Sequence, residues 1–145
     1  MKRQLLQVAP VLLSAIFLAA GAVSANAQIT DPIRAHIDHS FVAGEKTMPA
    51  GDYTFRMVQG SDLQVMQMTN EHTHTSAEFP VIPSQSDHTP KHSEVVFRRY
   101  GNTDFLYKVY EMGIQGGVRT TETSKQEKKF VSSGQQPTEH TEEQQ

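Results

Sequence analysis

A chain of 145 residues with 13 Lys plus Arg, 16 Asp plus Glu, no Cys and no Trp has room for one compact domain and a net charge of −3. The missing cysteines exclude a disulfide scaffold and every thiolate metal site, and the acidic balance argues against a nucleic-acid binder. Nine Gly and seven Pro without a period exclude a collagen-like or low-complexity chain.

The first element is an address. Lys2 and Arg3, the apolar run over residues 5–23 and the small residues Ala25 and Ala27 form the three parts of a secretory signal, with cleavage expected after Ala27. A retained membrane anchor is the rival reading, but no basic cluster follows the run to hold it. Without Cys there is no lipid attachment site. Losing residues 1–27 removes two of the 13 basic residues and none of the 16 acids, which leaves a net charge of −5. Such a chain has no electrostatic reason to seek nucleic acid or anionic lipid. No later apolar run approaches ~18 residues, so no membrane insertion is expected after cleavage. The expected destination is the periplasm or the cell exterior.

Beyond the signal the apolar residues are spaced for strands. Over residues 33–41, Ile33, Ala35, Ile37 and His39 fall on one face. Tyr53, Phe55 and Met57 alternate with Thr54 and Arg56, and Pro49-Ala50-Gly51 supplies a turn that feeds them. Leu63 and Val65 then change phase to Met66 and Met68, which predicts a bulge or a strand buried on both faces. Residues 78–82 and 94–99 are short β-rich runs, and residues 105–110 carry apolar side chains on both faces, as a central strand does. Gly44, Gln59-Gly60-Ser61-Asp62, Tyr100-Gly101-Asn102 and Gly116-Gly117 read as turns. Only residues 124–130, rich in Lys and Glu, suit a helix. These elements predict an all-β fold, a small antiparallel sandwich or barrel of about six to seven strands. The single β-domain is expected over residues 28–131. Residues 132–145 have no large apolar side chain and are expected to form a disordered acidic tail.

Two stretches resemble a family of short exported bacterial β-domain proteins. Residues 40–55 (SFVAGEKTMPAGDYTF) are similar to its pattern F-x-V-G-x-x-x-L-P-A-G-x-Y-x-V, and TPKHSEVVFRRYG at residues 89–101, followed by Phe105 and Leu106, resembles a second motif. Related sequences end in a Ser-Lys-x-Glu-Lys-like segment, matched here by Ser124-Lys125-Gln126-Glu127-Lys128. The resemblance implies an exported β-domain and assigns no catalytic residue. Family members carry an apolar residue or Pro near Asp38 and His39, which sets those two positions apart in this chain.

Histidine is the only candidate chemistry. Six of the seven His fall within residues 36–92, and neutral imidazole is a good ligand for Zn, Cu or Ni. On a strand, His72 and His74 would share a face about 7 Å apart. His88 and His92 are four apart, but Pro90 between them opposes a helix that would align them. These four are the candidate metal ligands, with His36 as a further contributor. The simpler alternative is a polar loop, Glu71-His72-Thr73-His74-Thr75, with its rings in water. Met57, Met66 and Met68 could serve copper as thioether ligands, but their spacing suits core filling better. No G-x-S-x-G elbow, phosphate loop or H-E-x-x-H spacing is present, so the expectation is a non-enzyme. The expected function is an exported binding or structural module of the cell envelope, its partner a protein, polymer or glycan. A histidine-based transition-metal protein of the periplasm is the alternative.

Overall fold

The computed structural model describes residues 29–58, 63–121 and 123–144. The expected signal at residues 1–27 and the turn at residues 59–62 lie outside them. Among the described residues the strands are β1 (Ile33–Ile37), β2 (Phe41–Ala43), β3 (Lys46–Met48), β4 (Gly51–Val58), β5 (Val65–Asn70), β6 (Ser76–Gln85), β7 (Glu94–Tyr100), β8 (Thr103–Tyr110), β9 (Gly116–Thr120) and β10 (Thr138–Glu143). One helix, α1 (Lys125–Ser132), precedes β10.

Eight of these strands follow one another antiparallel in the order β1-β4-β5-β6-β9-β8-β7-β10. Strand β6 is long enough to serve two neighbours: residues 76–80 pair with β5 and residues 81–85 with β9. Strand β2 adds to β8 in parallel, with Phe41 opposite Asp104 and Val42 opposite Phe105, and β3 folds back on β2. The all-β class is as expected, but the sheet is ten-stranded, mixed and open, where a smaller antiparallel sandwich or barrel was expected. Direction alternates along eight strands, so β1 and β10 at the two ends run antiparallel to each other. They lie side by side across a seam without a ladder between them.

The inward residues of the sheet make the main core. Ile33, Ile37, Phe41, Tyr53, Phe55, Met66, Met68, Phe97 and Val109 are all almost completely buried there, which confirms Met66 and Met68 as core filling. Phe41 packs edge-on to Tyr53 and Phe97, each with ring centroids 5.2 Å apart. The Tyr53 hydroxyl donates to the Pro49 carbonyl and ties the Pro-Ala-Gly turn to the strand it feeds. Between β7 and β8 the register shifts at Val96/Phe97, leaving Tyr107 as an extra residue. The shift explains the two-sided apolar pattern of β8. Leu106 and Val109 face the main core, while Phe105 joins Val42, Tyr100 and Phe130 in a second cluster under the helix.

Helix α1 begins where the sequence suggested. Ser124 Oγ accepts from the Glu127 amide at 3.0 Å, an N-cap, and Glu127 sits three residues on. Phe130 stacks on Tyr100, 5.7 Å between centroids and 19° between planes. Ser124→Ala should cost about 1 kcal/mol. Thermal melting checks this, with an expected fall of about 4–8 °C for a domain of this size; an unchanged midpoint would show that packing alone fixes the helix.

Three local expectations change. Leu63 is 68% exposed and precedes β5, so the phase change at Met66 marks the strand's start, not a bulge. Gly116 and Gly117 open β9 and do not form a turn. A Cβ on Gly117 would collide with the Tyr110 ring and the Val109 carbonyl, so close approach explains the glycine there. Finally, the segment expected to be a disordered tail contains β10, paired over its full length with β7 from Thr138↔Arg99 to Glu143↔Glu94. Its composition buries little apolar surface, but the edge of β7 offers a row of backbone partners, and ladder hydrogen bonds recruit the strand.

Candidate functional site

The structure spreads the four histidines chosen from sequence over two connections. His72 and His74 lie in the turn between β5 and β6, not on a strand, and both are exposed. Asn70 builds that turn, its Oδ1 accepting from the amides of His72 (3.0 Å) and Thr73 (2.9 Å), while His74 adopts φ 54°. His72 Nδ1 is 3.6 Å from Asp52 Oδ2, and His36 Nδ1 lies 2.7 Å from Asp52 Oδ1. His88 and His92 are exposed in the connection between β6 and β7, with His88 Nε2 3.2 Å from Glu94 Oε1. None of the four belongs to a three-ligand group among the described residues. The group of ligand atoms lying within 4.8 Å of one another is His39, His140 and Glu142.

That group sits at the seam. His39 follows β1 on the face shared with Ile33, Ala35 and Ile37, while His140 and Glu142 are the half-buried positions of β10. Phe97 forms the floor, edge-on to His39 at 5.3 Å and stacked on His140 at 5.5 Å. His39 Nδ1 is 2.8 Å from Asp38 Oδ1 and 3.9 Å from Glu142 Oε1. Behind the rings lies the buried carboxylate of Asp104, 3.2 Å from His39 Nε2 and 3.6 Å from His140 Nδ1. Arg99 holds that carboxylate with two hydrogen bonds, Nε to Oδ1 at 2.8 Å and Nη2 to Oδ2 at 2.7 Å. Burial pushes the His140 ring below its ordinary pKa, opposed by Asp104, and so favours neutral imidazole. The hydrogen bond from His39 holds Asp38 below the usual carboxylate range.

A second feature lies where β2 and β9 diverge from β8. The gap is a cavity of about 430 Å³, a size that suits a small ligand or a short peptide. Its apolar lining includes Val42, Phe79 and Leu106, and Glu45, Lys46 and Glu78 add charge. The β2–β3 hairpin, from Val42 to Lys46, bounds it on one side. From the other comes the half of β6 that pairs only with β5. Lys46 Nζ donates to the Ser76 carbonyl across the gap at 2.9 Å. Deeper in, Glu127 is buried beside Arg98 Nη2 at 2.8 Å; desolvation raises its carboxyl pKa, and Arg98 opposes that shift.

Sequence reasoning found His39 as an inward residue but missed Glu142 and His140. Both sit in the segment expected to be disordered, yet their spacing of two within Glu139-His140-Thr141-Glu142 is the strand signal. No protein-family model, curated protein or solved structure matches this chain. Nothing in the described structure positively indicates catalysis, and no described helix is long and apolar enough to cross a membrane.

Proposed function

We propose that this chain is an exported, non-enzymatic binding module of the cell envelope that holds an extended segment of a partner protein in the cavity between β3 and β6. The observation that carries the reading is the cavity bounded by the β2–β3 hairpin and by the outer edge of β6 around Glu78, to which no described strand is added. An extended peptide adds to such an edge through main-chain hydrogen bonds, and side-chain pockets then supply selectivity. Val42, Phe79 and Leu106 give the apolar pocket, and Lys46 and Glu78 give charges of both signs beside it. The secretory pattern at residues 1–27 supports the envelope as the place of work.

A photo-crosslinking amino acid at Glu78 tests this in living cells, with the same probe at Arg34 as the control. The expected result is one dominant protein adduct from position 78, mapping to a short extended stretch of that protein, and none from position 34. The same adducts from both positions, or only a glycan or polymer at position 78, would count against a peptide ligand.

A further inference from the structure

We propose that His39, His140 and Glu142 form a binding site for a divalent transition ion of the zinc class, which clasps β10 to the end of β1 across the open seam. The ligand set is chemically apt: two imidazoles and one carboxylate with an open fourth position is a known zinc arrangement. The ligand atoms are already gathered within 4.8 Å, with His39 Nδ1 3.9 Å from Glu142 Oε1. Tetrahedral zinc with bonds of about 2.0–2.2 Å needs its ligands roughly 3.3–3.6 Å apart, so side-chain adjustment suffices.

A second observation points the same way. Buried polar atoms nearly always have partners, and each exception calls for a cause. Five buried side-chain atoms among the described residues lack a hydrogen-bond partner, and three are imidazole nitrogens of this group: His39 Nε2, His140 Nδ1 and His140 Nε2. Asp104 accounts for two of them by position. It stands 3.2 Å from His39 Nε2 and 3.6 Å from His140 Nδ1 without a hydrogen bond to either, at the position from which a carboxylate orients imidazoles once they ligate. Arg99 in turn fixes Asp104. His140 Nε2 is then free to ligate, and His39 Nδ1 ligates by giving up its contact with Asp38. The fourth position opens beside Asp38, whose side chain is 75% exposed, and takes water or that carboxylate.

The location gives the site its consequence. No ladder joins β1 to β10, so side chains must do any holding across the seam. An ion shared by His39 and the β10 pair supplies that link.

The test is titration of the full chain, purified without chelators and then freed of metal, with zinc chloride alone. Amide hydrogen exchange is read on the same samples. The expected result is one ion per chain, with affinity lowered about 100-fold in His140→Ala and at least tenfold in Glu142→Gln, in line with the loss of single ligands and their supports. Zinc should also slow exchange at the amides of β10. His72→Ala/His74→Ala should bind as the parent does. Glu142→Gln changes a side chain at the sheet margin and keeps the ladder, so it reads the site even if His140→Ala fails to fold. The proposal is overturned by the absence of saturable one-to-one binding, by parental affinity in Glu142→Gln, or by loss of binding in the His72/His74 variant.

Discussion

Phe97→Ala is expected to lower stability by about 3–5 kcal/mol, the range for emptying a fully buried aromatic site. Phe97 is 0% exposed and stands between the main core and the histidine group. On one side its ring meets Phe41 in the main core. On the other it carries His39 and His140. The cavity left by alanine cannot collapse easily, because both flanks are anchored in ladders, β7 to β8 and β7 to β10. Urea denaturation monitored by circular dichroism measures the loss, and a cost under about 1.5 kcal/mol would mean that the site closes around the gap. Because the ring also floors the histidine group, zinc affinity should fall in parallel wherever the variant remains folded.

Asp104→Asn is the second large effect, at about 2–3 kcal/mol. Breaking a buried ion pair by removing one partner typically costs about 3–5 kcal/mol, since the other charge is left stranded. The figure is discounted here because the Arg99 side chain is 44% exposed and water can take over its solvation. Asn keeps the shape but cannot accept both Arg99 donors, and it no longer faces the two imidazoles with a negative charge. A double-mutant cycle with Arg99→Met apportions the loss. Most of the cost of Asp104→Asn should vanish in the Arg99→Met background; an undiminished cost would place the role of Asp104 with the histidines.

The strands legible in the sequence are those of five or more residues with a clear apolar pattern, alternating in β1 and β4 and two-sided in β7 and β8. Ile33, Ala35 and Ile37 turn inward as their period of two required, and so do Tyr53 and Phe55. Strands β2 and β3 span three residues each, too few for a period to show, and their hairpin is marked only by Gly44 at φ 59°. Strand β9 was hidden by its glycines, which read as a turn until the close approach of Tyr110 explains them. The parallel pairing of β2 with β8 joins residues about 60 positions apart and leaves no local trace. The candidate site divides in the same way. His39 is visible in phase with the inward residues Ile33, Ala35 and Ile37, just past the end of β1. His140 and Glu142 lie in a segment whose low apolar content gives no sign of order, whereas the edge of β7 recruits them through backbone hydrogen bonds.

The facing edges of β1 and β10 also set a timetable. A ribosome adding about 5–20 residues per second completes β10 on the order of 2–9 s after β7 is made. Throughout that interval the outer edges of β1 and β7 are both bare, each a template on which a neighbouring nascent chain can add a strand. The last strand to be made covers β7, and it carries two exposed glutamates, Glu139 and Glu143, to the rim. Charge of one sign along a rim repels further strands of the same kind. The acidic C-terminal segment thus acts as a late-arriving stopper against chain-to-chain growth of the sheet.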